Sequence, residues 1–154
     1  MTIVRNAPLT VIVDTREQTP FEFGDAAVTV RGTLNAGDYS LDKLTDLVAV
    51  ERKELSDMVA CVGPERERFE RELVRLRGWK CKAVVIEATL GTITKGKWRS
   101  QVLPEAVLGS IASWRVKYGV EFIYADSHEL AAAETLRLLR KFRDYCADYA
   151  KRFQ

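Results

Sequence analysis

Short apolar runs alternate with longer amphipathic stretches along the chain, and that alternation predicts its elements. Residues 10–14 (TVIVD), 28–31 and 47–50 (LVAV) are short runs rich in β-branched residues, so each predicts a strand. Residues 39–41 predict another, turned back by 42–46 (DKLTD) into a hairpin. Leu55, Met58, Val59 and Val62 recur at helical spacing and predict a short helix over residues 54–62. Gly63-Pro64 ends it and opens a helix over 65–77, with Phe69, Leu73 and Leu76 as its apolar stripe. Residues 81–86 (CKAVVI) predict a buried strand ending at Glu87, and residues 90–100 read as a loop. Leu103, Val107, Ile111 and Trp114 define a helix over 104–117, followed by a strand at 121–124 (EFIY). A last helix, capped by Asp126 or Ser127, runs to about Arg152 with Leu139, Phe142, Cys146 and Tyr149 inward. Strands alternating with helices predict an α/β class, a central mixed β-sheet with helices on both faces.

The stretch 37–57 (GDYSLDKLTDLVAVERKELSD) carries the candidate chemistry. Side chains alternate along a strand, so Glu51 and Lys53 point one way and Arg52 the other. The hairpin brings Asp38 close to Glu51, placing two carboxylates and a lysine in one small space. Two acidic side chains suit a hard cation such as Mg²⁺ or Mn²⁺, so Asp38 and Glu51 are the candidate metal ligands. Such an ion polarises a phosphoryl oxygen and activates water. Lys53 is placed to hold that water or to offset charge building up on a phosphate. The carbonyl of Arg52 is a candidate further ligand. Asp57, one helical turn past Lys53, is a candidate for a second ion or for orienting its neighbours. A bare E-x-K recurs by chance, and alone it describes ordinary surface residues.

The full pattern is narrower: Gly37-Asp38, a spacer, Glu51-Arg52-Lys53, three residues, then Asp57. It closely resembles the nuclease signature of the XPF-type (ERCC4-domain) structure-specific endonucleases, a branch of the restriction-endonuclease-like fold. Val13-Asp14-Thr15-Arg16-Glu17 matches the family's D-x-R-E element, in the right order. The resemblance covers nearly the whole chain and implies a restriction-endonuclease-like core with a metal-dependent catalytic centre. It adds Asp14 and Arg16 to the site, Arg16 to hold a carboxylate or to grip a phosphate bidentately. Family members cut one strand of branched DNA near junctions of duplex and single strand, leaving a 5′-phosphate. The implied function is a metal-dependent DNA endonuclease of repair or recombination. A non-catalytic DNA-binding or partner-docking module is the alternative of another class, since some relatives have lost the acidic positions. Asp38, Glu51, Lys53 and Asp57 are all intact here. A four-way-junction or restriction-type nuclease needs only the E-x-K part. Many relatives carry a tandem helix-hairpin-helix module that this sequence lacks. The chain therefore reads as a stand-alone nuclease or a fragment, with homodimerisation or a separate partner supplying branch recognition.

Charge sharpens this picture only locally. The net charge is +2, so a DNA-binding surface must come from clustering. Lys95, Lys97 and Arg99 surround Gly96 and Trp98, a mix suited to phosphate contact with base or sugar stacking. A solvated loop with Trp98 in the core fits the same residues equally well. The helix over 65–77 holds five arginines and four glutamates, which read first as a salt-bridged, solvated face, with a phosphate contact by one or two of the arginines as the alternative. Arg137, Arg140, Lys141, Arg143, Lys151 and Arg152 on the last helix read as a solvated basic face. Glu87 reads as an acid supporting the site or equally as a helix cap or surface residue, and His128 as a surface residue.

At 154 residues, 47% of them hydrophobic, the chain suits one domain over 1–154 with a real core. Three scattered cysteines, one histidine and no Cys-x-x-Cys argue against a zinc site. Reduced thiols, no signal-peptide layout and no membrane-length apolar run point to an intracellular, cytoplasmic protein.

Overall fold

The computed structural model describes residues 2–154. Six strands form one sheet: β1 (Leu9–Asp14), β2 (Ala27–Gly32), β3 (Tyr39–Leu41), β4 (Val48–Glu54), β5 (Cys81–Glu87) and β6 (Glu121–Tyr124). Their order across the sheet is β2-β1-β3-β4-β5-β6. β1 runs parallel to β2, and β4, β5 and β6 run parallel to one another. β3 is antiparallel to both of its neighbours, so the sheet is mixed, as the alternation of elements predicts.

The helices cover both faces. Alternation along β4 sends Ala49 to one face, where with Val84, Ile86 and Phe122 it meets α1 (Leu55–Val62), α2 (Arg66–Leu76) and α4 (Pro104–Tyr118). Met58, Phe69, Leu73 and Trp114 fill that core. Val48 and Val50 face the other way, where Val11, Val13, Tyr39 and Val85 pack with Leu139 and Phe142 of α5 (His128–Lys151). Full burial of a side chain such as Phe69 or Leu73 contributes about 2 kcal/mol. α2 is therefore held to the sheet by its apolar stripe while its charged residues stand at the edge of the core.

Several sequence expectations need correction. Residues 90–95 form a helix, α3 (Leu90–Lys95), and are not part of a loop. Thr89 caps it by accepting the Thr92 N–H at 3.0 Å, and Gly96 ends it at φ 64°. Trp98 packs against the core and donates its Nε1–H to the Val102 carbonyl at 2.8 Å, which removes it as an exposed stacking platform. Leu103 precedes α4 and is 68% exposed, so it does not belong to that helix's buried stripe. On α5, Tyr149 is half exposed, stacks with Tyr145 and packs tilted against Phe153 rather than facing inward. Arg143 of the same helix is buried, donating to the Ala7 carbonyl and to Asp144. Ser127 is the residue that caps α5, accepting from the Leu130 N–H at 3.0 Å. Among the described residues, no helix is long and apolar enough to cross a membrane.

Candidate active site

The ends of β1 and β4 and the start of β3 open into a cleft of about 520 Å³, walled on one side by α1 and α2. Asp14, Arg16, Asp38, Glu51, Arg52, Lys53 and Asp57 all line it. Lys95, Lys97 and Arg99 are exposed but lie outside its lining.

Asp38 is fixed by three backbone bonds at the point where β1 and β4 approach. Its N–H donates to the Val50 carbonyl, and its carbonyl accepts the Asp14 N–H, both at 2.8 Å. Its Oδ2 accepts the Arg52 N–H, also at 2.8 Å. Gly37 makes this entry possible. Its φ is 73°, and a Cβ there would lie 3.0 Å from the Val50 carbonyl oxygen and 3.1 Å from Cβ of Ala49. Both the left-handed backbone and the close approach require glycine.

Glu51 and Lys53 project from β4 on the same face as Ala49, toward α1 and α2. Their side chains are only 13% and 17% exposed, with Lys53 Nζ 3.3 Å from Glu51 Oε1. Lys53 also lies over the Phe69 ring, 5.3 Å from its centroid. Burial, and then the Asp38 charge, push the Glu51 carboxyl well above the usual carboxylate range. Burial likewise raises Asp38, helped by Glu17 and Glu72 and opposed by the Arg52 N–H and Lys53. Burial alone would lower Lys53, but the carboxylates around it, Glu51 foremost, outweigh this and hold it as an ammonium.

Asp14 is anionic for the opposite reason. Oδ1 accepts from the backbone N–H and Nε–H of Arg16 at 2.9 and 2.7 Å, while Oδ2 accepts from Arg16 Nη2 and the Leu34 N–H at 3.0 and 2.8 Å. The Arg16 guanidinium, assisted by those two backbone N–H groups, outweighs burial and holds this carboxyl at about 2. Its four bonds join the end of β1 to residue 34 and fix Arg16 at the mouth of the cleft.

Arg52 faces the other side of the sheet, as strand alternation requires. Only 8% of its side chain is exposed, and it meets Glu87 at 2.6 Å, Glu54 at 2.7 Å and Glu17 at 3.3 Å. Glu87 also bonds His128 Nδ1 at 2.7 Å, and the His128 ring packs against Phe21. His128 is therefore not a surface residue. It joins the start of α5 to the strand ends behind the cleft, with Nε2 3.4 Å from the Pro20 carbonyl. Tyr39 completes this layer, accepting the Phe21 N–H at 2.8 Å.

On α2, Arg68, Glu72 and Arg75 also line the cleft; sequence reasoning allows a phosphate contact for one or two arginines of this helix but singles out none of the three. Each immediately precedes a member of the apolar stripe, Phe69, Leu73 and Leu76. That offset is the signal that could have found them, because it places a polar stripe beside the buried one, at the helix–sheet boundary.

The donor set fits a small hard cation. Asp38 and Glu51 offer carboxylate oxygens, and Oδ1 of Asp38 makes no hydrogen bond among the described residues. Both carboxyls are disfavoured as neighbouring anions, a condition that a cation relieves. Among the described residues, no three His, Cys, Asp or Glu side chains form a complete metal-binding group. Mg²⁺ characteristically takes one or two carboxylates and completes its shell with water and phosphate.

Comparison with known proteins bears on this cleft. The structure is similar to XPF from Aeropyrum pernix, with a TM-score of 0.71 at 20% identity over 86% of this chain and 61% of that one. It is similar also to XPF from Aeropyrum pernix in complex with DNA, with a TM-score of 0.72 at 20% identity over 87% of this chain and 64% of that one. The chain thus spans less than two thirds of the length of either. Comparison with the curated proteins finds no match. The sequence matches the ERCC4 domain over residues 13–138, a span that holds Asp14, Asp38, Glu51, Lys53 and Asp57. With that match over most of its length and the XPF-like sheet around the cleft, the chain belongs to the ERCC4 domain family.

Proposed function

We propose that the protein is a metal-dependent DNA endonuclease that hydrolyses phosphodiester bonds in the cleft described above, with branched DNA as its substrate. The observation that carries this reading is the meeting of Asp38, Glu51 and Lys53 at one strand end. Asp38 and Glu51 would hold Mg²⁺ or Mn²⁺, with the Arg52 carbonyl as a further oxygen donor. A bound divalent ion polarises a phosphoryl oxygen and brings the pKa of a coordinated water toward neutrality. Lys53 would orient the attacking water or balance the charge that grows on the phosphate. Asp57, in the first turn of α1, would accept hydrogen bonds from waters of the ion's shell. Arg16, anchored through Asp14, would meet a phosphate at the cleft mouth.

The structurally similar XPF in complex with DNA supports DNA as the partner. Branch recognition would be supplied by homodimerisation or by a separate partner. Lys95, Lys97 and Arg99 would contact phosphates beyond the cleft. A panel of end-labelled flap, fork, four-way junction and plain duplex DNA, with Mg²⁺ or EDTA, tests the substrate class. We expect Mg²⁺-dependent nicking of flap and fork in preference to plain duplex. Equal cutting of all four would remove branched DNA from the account, and no cutting of any with Mg²⁺ or Mn²⁺ would remove the nuclease.

A further inference from the structure

One oxygen of Glu51, Oε1, already faces the Lys53 ammonium at 3.3 Å, so a cation bound by this carboxylate would have that ammonium beside it. A divalent ion and that ammonium repel each other and compete for the same carboxylate. A second anion for Lys53 would relieve that repulsion when Glu51 serves as a ligand.

α2 supplies one. Glu72 follows Phe69 by one turn of the helix, and Lys53 already lies over the Phe69 ring. Glu72 Oε2 is buried without a hydrogen-bond partner, a condition shared among the described side chains only by the Thr135 hydroxyl. Its Oε1 makes only a long contact, 3.9 Å, with Arg68 Nε. A buried carboxylate oxygen with no donor is unfavourable, and the closest chemical remedy is a cation. Lys53 and Glu72 line the catalytic cleft together, and they also line a second cavity of about 240 Å³ between α1 and α2. That cavity, lined also by Phe69, leaves room for the Lys53 ammonium to move from its place over the Phe69 ring toward Glu72.

We propose that Glu72 is a positioning residue that receives the Lys53 ammonium when a divalent cation occupies Glu51, so that Lys53 alternates between two carboxylates. This rests on the reading of Asp38 and Glu51 as metal ligands. Its consequence is that Lys53 is withdrawn from the ion, kept charge-balanced, and left beside the space where water and phosphate meet.

The test is a double-mutant cycle on Mn²⁺ affinity, read from the electron paramagnetic resonance of free Mn²⁺ without DNA. It compares wild type, Lys53→Met, Glu72→Gln and the double variant, with Asp38→Ala as the control for the site. Glu72→Gln should weaken Mn²⁺ binding roughly tenfold when Lys53 is present. With Lys53→Met, the competing ammonium is gone, and the same change should cost about twofold or less, the residue of long-range attraction. Equal weakening in both backgrounds would overturn the proposal and make Glu72 a direct or long-range contributor. If Glu72→Gln does not fold by circular dichroism, Glu72→Ser takes its place in the cycle. Absence of Mn²⁺ binding to wild type, or binding unchanged in Asp38→Ala, would overturn the metal-site reading itself. Binding lost in Asp38→Ala together with an additive cycle would overturn only the role of Glu72.

Discussion

Three buried or half-buried carboxylates at this strand end behave differently because of what surrounds them. Asp14 is saturated with donors and stays ionised. Asp38 and Glu51 are raised, first by burial and then by neighbouring acids. The sign of the linkage follows. Their folded pKa values exceed the ordinary 3.8 and 4.5, so the folded state binds protons that the unfolded state has released. Stability should therefore fall as pH rises from about 4 through neutrality, the window opened by these upward shifts. Asp14 acts in the other direction and lower down, its contribution lost only as pH falls from the ordinary 3.8 toward 2. Thermal melts in EDTA should show a Tm that declines from pH 5 to pH 8, with Mg²⁺ restoring it at the upper end. A Tm flat across that range, or unmoved by Mg²⁺, would contradict the pairing of these two acids. Asp38, Glu51 and Lys53 were legible in the sequence because hairpin pairing and strand alternation are local rules. His128 was not, since its two partners lie 41 and 108 residues away. Glu72 was hidden among alternating charges that look alike until the apolar stripe beside them is used as a reference.

At the scale of elements, two features hold the cleft. The first is the layer behind β4, where Arg52 joins Glu17, Glu54 and Glu87 and so ties the loop after β1, the end of β5 and, through His128, the start of α5. Glu17 is as buried as Arg52 itself and Glu87 nearly so, at 7% and 13% side-chain exposure. Arg52→Ala leaves two buried carboxylates without their cation, a change that costs about 3–5 kcal/mol. Urea unfolding should show that loss, and a change under 1 kcal/mol would mean that water replaces the guanidinium readily. The second feature is α2, whose Arg68 and Arg75 stand two turns apart on the cleft wall. Each alanine substitution there should weaken DNA binding and reduce the salt slope by about 1, as for the loss of one phosphate contact. Fluorescence anisotropy at several salt concentrations reads this directly, and an unchanged slope would leave these arginines in the salt-bridged face first expected of them. Most elements were legible from periodicity. α3 was not, because a glycine and two threonines in six residues weaken the helix signal. Its Thr89 cap and Gly96 stop were present in the sequence and carry the information that its interior lacks.

At the scale of the molecule, the cleft exists because β3 runs against β1 and β4. That reversal brings the residue before β3 to the end of β1 and to the point where β4 runs on beyond its pairing with β3, so Asp38 enters between Asp14 and Glu51. The α/β class was legible from alternating elements, and the core of α2 from its stripe. The order β2-β1-β3-β4-β5-β6 was not, because local patterning says nothing about which distant strands become neighbours. The resemblance of two short motifs to a known signature supplied what periodicity could not, and the sheet places both motifs on one cleft. The account stands on that cleft being a metal-dependent hydrolytic site. The measurement that tests it most directly is cleavage of end-labelled flap DNA in Mg²⁺ and in EDTA by wild type, Asp38→Ala and Lys53→Ala, with DNA binding measured in parallel. The account predicts Mg²⁺-dependent nicking by wild type, a loss of roughly a hundredfold or more in each variant, and retained binding. Cleavage that persists in Asp38→Ala, or wild-type protein that binds the DNA and cuts it with neither Mg²⁺ nor Mn²⁺, would contradict it.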